Sequence, residues 1–226
     1  MTISFLPRLL ALASPALPVG AFSYSQGLEW AVEEGIVRDE VTAVDWIGSL
    51  LEFNLGRFEA PMLARLMEAW AGRDSAALAE ANAIYLASRE SAELRAETVQ
   101  MGYSMVRLLG DLPDFPQQVS AALAQLSEPS FPAAWSGAAA AWGIAPEAAV
   151  VAYLWAWAEN QTLAALKAVP VGQSAGQRML YVLGERLLPV ARRALALETE
   201  CWSNLAPGFA IAGCRHETQY SRLFRS

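Results

Sequence analysis

His216 is the single histidine in the chain, so a Ser-His-Asp or Cys-His nucleophile would have to use it. Cys214 stands two positions before it, and Cys201 is the other cysteine. A thiolate and an imidazole at that spacing could hold a soft metal ion with Cys201 as a third ligand, but the spacing matches no standard zinc pattern. The plainer expectation is an exposed tail beside a buried Cys201. Glu90, Glu93 and Glu97 fall at i, i+3 and i+7, which on a helix sets three carboxylates on one face, with Arg89 and Arg95 beside them. Such a face could do acid–base work or hold a hard cation. A solvated, salt-bridged surface is the main expectation, and an acidic docking face for a basic partner is a third. No GxxxxGK[ST] run occurs, so nucleotide is not held by that kind of loop, and no cofactor is expected. Trp135, Trp142, Trp155 and Trp157 read as core aromatics before interface ones.

The segment from His216 to Ser226 has another character. Polar side chains crowd it, with Tyr220, Leu223 and Phe224 interleaved among Arg222 and Arg225. Arginine and tyrosine are residues that anchor interfaces. The composition is that of a docking peptide; the alternative is a tail folded back on its own bundle.

The elements that must position these residues are helices. Ala and Leu outweigh β-branched residues, and strand alternation is nearly absent. A first helix is expected over Phe5–Ala13, stopped by Ser14-Pro15, with Pro15–Ala21 a loop. Ser23 or Ser25 would cap a helix reaching Glu34 and ending at Gly35. Asp39 caps a long helix through Phe53 or beyond. Pro61 predicts a break or kink near Glu59, with helix resuming over Pro61–Trp70 and ending at Gly72. From Asp74 the pattern reads as helix to about Leu109, with a possible bend near Ser88 and a stop at Gly110. Further helices are expected over Phe115–Leu126, from Pro132 to near Gly143, from Pro146 to about Val169, over Gly172–Leu187 and over Pro189–Trp202. From Ser203 the chain should be irregular. The fold class is therefore all-α: one compact multi-helix bundle over residues 1–226, with an irregular C-terminal tail at 203–226.

Composition narrows the partners. With 54% hydrophobic and 17% charged residues in 226, the chain can bury a sizeable core and leave apolar surface for association, although Ala-rich helices also inflate that fraction. A net charge of −7 with no Lys/Arg cluster argues against nucleic acid as the main partner. Ala148–Ala158 is uncharged but too short to span a membrane, and the Leu9–Ala13 run reads as an amphipathic helix before a signal peptide. Two cysteines fit a reducing compartment, so a cytoplasmic location is expected.

The run Ser14-Pro15-Ala16-Leu17-Pro18-Val19-Gly20-Ala21-Phe22-Ser23-Tyr24-Ser25-Gln26-Gly27-Leu28-Glu29 resembles the N-terminal signature of the UreF family of urease accessory proteins. His216–Ser226 is similar to that family's closing sequence. Arg89-Glu90 with Glu93 and Arg95, and Lys167–Gln173 with Gly176-Gln177, fit in order and spacing. The resemblance spans essentially the whole chain. It implies an all-α protein without catalytic activity of its own, acting in maturation of the dinickel enzyme urease. It implies binding to UreD (UreH in some organisms) and to the GTPase UreG, delivery of nickel to apo-urease, possible control of GTP hydrolysis, and a homodimer within the complex. Carried onto this chain, Tyr220, Arg222, Leu223, Phe224 and Arg225 become the UreD-side docking residues. Phe22, Gln26, Glu29, Glu93 and Lys167 become the UreG-facing patch, whose charges suit orientation and specificity.

Three classes compete on these residues. A non-enzymatic scaffold leads. A nickel-binding metallochaperone using Cys214 and His216 is the alternative, and it predicts a tight stoichiometric nickel site. A hydrolase on the acidic helix face stands third, predicting lost activity with binding unchanged in a Glu93 variant.

Overall fold

Pro7 sits in the first turn of α1 (Leu6–Ala13), where its missing N–H costs nothing, and the helix ends with Ser14 in extended conformation. The computed structural model describes residues 4–226. A 3-10 turn (Ala21–Ser23) follows, then α2 (Leu28–Glu33). The cap of α2 is Gly27, at φ 77°, not Ser23 or Ser25. A Cβ at Gly27 would lie 2.9 Å from the Ala212 Cβ. Both its left-handed conformation and the close passage of a later helix therefore demand glycine.

Asp39 and Thr42 form a capping box for α3 (Glu40–Leu50). Of the break or kink expected near Glu59, no break occurs; the irregularity there is a change of helix type. The chain runs through a π-helical stretch (Leu51–Glu59) straight into α4 (Ala60–Gly72). Pro61 cannot bond the carbonyl four residues back, and its ring would crowd that carbonyl in an α-helix. Widening the preceding turns to π geometry absorbs the conflict. The freed Arg57 oxygen instead accepts from the Ser203 N–H at 3.0 Å.

Asp74 caps α5 (Ser75–Ala87), accepting from the Ala77 N–H. Where a bend near Ser88 was expected, the helix breaks outright, and Ser91 caps α6 (Ala92–Asp111) afresh. The Asn204 amide holds the open end, donating to the Ser88 carbonyl at 2.9 Å and to Glu90 Oε1 at 3.1 Å. α7 (Gln117–Ala124) and α9 (Pro146–Ala168) lie within the expected stretches, and α8 (Phe131–Ala141) starts one residue before the expected Pro132. α10 (Gln173–Leu195) joins what read as two helices, carrying Pro189 inside it. Pro189 is exposed, so the carbonyl it orphans can be hydrated and the helix survives.

The helix expected to reach Trp202 stops at Leu195 and is followed only by a 3-10 turn (Thr199–Cys201), whereas the region expected to be irregular contains α11 (Pro207–His216). Its two glycines disfavour helix. Burial of Phe209, Ala212 and His216 against α2 and α6 overrides that propensity. Beyond α11, residues 217–226 run back across α2 as a strap of turns and bends without regular structure.

All the regular structure among the described residues is helical, as the composition predicts. The largest apolar cluster is built from α1, α4, α6, α8, α9 and α10 around fully buried Trp135; Trp142, Trp155 and Trp157 are partly buried against it. A second cluster joins α2, α3, α9 and α10 and takes in Phe224 from the strap. A fixed aromatic in that cluster pins the strap to the body.

Candidate partner-docking site

Glu29 is the centre of the site. It sits in the first turn of α2 and is nearly buried, yet it faces no basic side chain of its own helix. Its Oε1 accepts from the Leu223 N–H at 2.6 Å, and its Oε2 from the Phe224 N–H at 3.1 Å. Its Oε2 also lies 3.3 Å from His216 Nε2. Glu93, in the first turn of α6, takes the other side: its Oε2 is 2.7 Å from His216 Nδ1, and its Oε1 accepts from the Arg222 guanidinium. The starts of α2 and α6, the end of α11 and the strap are thus locked through two carboxylates.

The last residues of the strap are tied down by the backbone. The main-chain oxygen of Ser226 accepts from the N–H groups of Ser25 and Gln26 at 2.7 and 2.9 Å, and from the Ser25 hydroxyl at 2.6 Å. The Arg225 N–H donates to the Ser23 carbonyl at 2.8 Å. The Ser226 hydroxyl donates to Glu97 Oε2 at 2.7 Å, and the Gln26 amide to Glu97 Oε1 at 2.7 Å. Gln26 holds φ 53°, a conformation stabilised here because the Trp157 indole donates to its side-chain oxygen. Glu97 is buried, and that burial pushes its carboxyl up to about 7 against the pull of the Ser226 and Gln26 hydrogen bonds. Burial, and then the charge of Glu97, raises the Tyr24 hydroxyl, while the adjacent Arg225 guanidinium acts to lower it.

Lys167, in the last turn of α9, lies over two rings: its Nζ is 5.4 Å from the centroid of Phe224 and 6.0 Å from that of Phe22. Phe224 is buried; Phe22, Leu223 and Tyr220 are exposed, at 63%, 71% and 104%. The two groups expected on separate faces therefore interlock: Arg222 meets Glu93, Leu223 and Phe224 meet Glu29, and Phe224 meets Lys167. The outer surface of the joint is apolar and aromatic with a lysine among it, over a polar, mutually satisfied underside. Beside it opens a cavity of about 100 Å³ whose walls include Phe22, Gln26, Glu59, Arg89, Glu97 and Tyr153.

Several expectations about chemistry change. Glu90 precedes α6 and accepts from Asn204, while Glu97 is buried, so the three glutamates form no solvated face. Glu93 and Glu97 serve instead as a docking face for this chain's own strap. His216 is fully buried and Cys201 exposed, the reverse of the expected exposed tail beside a buried Cys201. Both His216 nitrogens point at carboxylates, and the Cys214 thiol is directed to the Glu90 carbonyl at 3.8 Å. Among the described residues, no three His, Cys, Asp or Glu side chains group as metal ligands. Sequence reasoning missed His216, Ser25 and Ser226 as parts of the joint. No local pattern marks them, because their partners lie on distant segments.

The UreF family model matches residues 37–184. The chain belongs to the UreF family of urease accessory proteins. The urease accessory protein UreF of Dechloromonas aromatica (strain RCB) is 61% identical over 222 residues, covering 98% of this chain and 97% of that protein. The protein of the same name from Azoarcus sp. (strain BH72) is 61% identical over 221 residues, covering 97% and 94%. That of Methylobacillus flagellatus (strain ATCC 51484 / DSM 6875 / VKM B-1610 / KT) is 50% identical over 221 residues, covering 98% and 97%. These likenesses extend beyond the family model's range to the Phe22–Glu29 and strap segments that build the joint. Among the described residues, no helix is long and apolar enough to cross a membrane.

Proposed function

We propose that the chain is a non-enzymatic scaffold of urease maturation, bridging UreD (UreH) and the GTPase UreG so that nickel reaches apo-urease. On this reading it works in the cytoplasm, as a homodimer inside the assembly, folds as one unit, and modulates GTP hydrolysis through contact and not through a reaction of its own. The observation that carries the reading is the joint itself. Exposed Phe22, Tyr220 and Leu223 rise from a base whose charges are already paired, which is how a surface offers anchors without a desolvation penalty on lone charges. Leu223 and Tyr220 face outward from the strap on the UreD side; Phe22 and Lys167 lie on the body on the UreG side.

The test is co-purification with UreD and UreG. Leu223→Ala combined with Tyr220→Ala is expected to lose UreD first. Phe22→Ala is expected to retain UreD and lose UreG together with nickel-dependent urease activation. If all of these variants assemble the ternary complex and activate urease as the parent does, the docking surface lies elsewhere on the bundle. No geometric observation favours the metallochaperone alternative at Cys214 and His216.

A further inference from the structure

An ionised carboxylate only accepts hydrogen bonds, and a neutral imidazole has only one N–H. His216 places one ring nitrogen 2.7 Å from Glu93 and the other 3.3 Å from Glu29, in a position without solvent exposure. Both nitrogens can serve those contacts as donors only in the imidazolium form. Arg222 supplies the second positive charge, on Glu93, so the cluster balances two carboxylates against two cations. The same carboxylates hold the strap: Glu29 takes the Leu223 and Phe224 N–H groups, and Glu93 takes Arg222.

We propose that the fold carries a pH-sensitive latch, in which the His216 imidazolium holds Glu29 and Glu93 in place for residues 222–224 and loss of its ring proton undocks the strap. A neutral ring turns a lone pair toward one carboxylate oxygen and leaves one negative charge without its counterion. The strap is the part that can yield. What it gives the two carboxylates is the Leu223 and Phe224 N–H groups and the Arg222 guanidinium, which water can satisfy once it lifts at the cost of exposing the one buried ring of Phe224, whereas α2 and α6 are fixed in the apolar clusters along their length.

Other charges around the ring do not reverse the direction. Glu217 Oε1 accepts from the Glu93 N–H at 3.2 Å, adding negative charge on the α11 side, and Arg215 beside it is exposed. Lys167 reaches the strap only through the Phe224 ring. Glu97 gains charge as pH rises, and burial pushes it up to about 7; the Ser226 and Gln26 hydrogen bonds favour its charged form, but the larger cost of burying that charge is relieved by hydration, so its ionisation falls in the same pH range and must be controlled for. The latch is a property of the chain alone; only its consequence for partner binding rests on the function proposed above.

The single histidine makes the test direct. Long-range ¹H–¹⁵N spectra of the full chain read both ring nitrogens, and amide exchange, corrected for intrinsic rate, reads Leu223 and Phe224 across pH 6 to 8.5. At low pH both ring nitrogens should be protonated and both amides protected. Protection should fall roughly tenfold or more with the same midpoint as ring deprotonation, persist in that behaviour in Glu97→Gln, and be low and flat with pH in His216→Gln. A neutral ring beside protected amides in the unmodified chain overturns the latch, and that reading needs no variant to fold. So does protection independent of pH, or a pH response abolished by Glu97→Gln while His216 still titrates.

Discussion

The Glu59–Arg89 pair and the Glu29–Glu93–His216–Arg222 cluster both set carboxylates against cations, but they are built for different ends. Glu59 closes the π-helical stretch, and Arg89 lies in the break between α5 and α6. Their side chains are 8% and 4% exposed and meet at 2.8 Å. The Tyr153 hydroxyl donates to Glu59, and the Tyr85 ring lies 4.4 Å beneath the guanidinium. Every partner is a side chain of the bundle, so the pair cannot open without unpacking the core. In the second cluster the carboxylates belong to the body, and much of what they hold is the peptide backbone of a strap. One ion network is part of the core; the other is a clasp that can open locally.

The sharpest way to break that contrast is Arg89→Ala. It strands Glu59 in the interior, and removing one partner of a buried pair costs about 3–5 kcal/mol. Urea denaturation should show the loss as a lower midpoint of the whole transition. A loss of under about 1 kcal/mol would mean that Glu59 is relieved some other way and that the two clusters do not differ in kind.

Glu97 lies between the two regions, and its effect should appear in the pH dependence. Its carboxyl is held at about 7 by burial, against an ordinary value of 4.5. The folded state therefore binds the proton more tightly than the unfolded chain. The contribution is fully present below pH 4.5 and is lost as pH rises through 7, a swing of the order of 3 kcal/mol. Glu97→Gln keeps a donor and an acceptor for Gln26 and Ser226 without the ionisation. Its stability curve should be flatter than the parent's between pH 4.5 and 7; parallel curves would show that Glu97 titrates as an ordinary carboxyl.

These regions were not equally legible in the sequence. Helix content, the Asp39 and Asp74 caps and the first-turn prolines are local signals, and they place most elements. The π-helical bypass of Pro61 depends on Ser203 taking the Arg57 carbonyl, and the break at Ser88 on Asn204, so no window of neighbouring residues reveals either. Pro189 inside α10 is tolerated because it faces water, which periodicity alone does not rank above a helix end. Glu29, Glu93, Phe22 and Lys167 were picked out through the family resemblance and fall together in space. The resemblance did not indicate that their nearest partner is the chain's own strap, nor that His216 joins them.

Glu29→Ala tests the clasp directly. It deprives the Leu223 and Phe224 N–H groups and His216 of their shared acceptor, yet the strap can lift and let water satisfy them. The cost is therefore capped near that of local opening, about 1–3 kcal/mol. Exchange protection at Leu223, Phe224 and Arg225 should vanish while the urea midpoint moves far less than in Arg89→Ala. Equal midpoint losses in the two variants would mean the strap is as integral to the core as the Glu59–Arg89 pair.

Lys167→Ala should have the smallest effect on the fold and separates docking from stability. The ammonium lies over Phe224 and Phe22 on an exposed helix end, where such contacts contribute under about 1 kcal/mol. Phe224 stays buried in the second apolar cluster without it, so strap protection and melting should match the parent. If the joint is a partner surface, the same variant should still lose UreG capture, because a charge at an interface edge steers and orients a partner more than it stabilises its own chain. Loss of strap protection in Lys167→Ala would make the lysine a structural pin, and its absence from the UreG complex would then report an unlatched strap and not a missing contact.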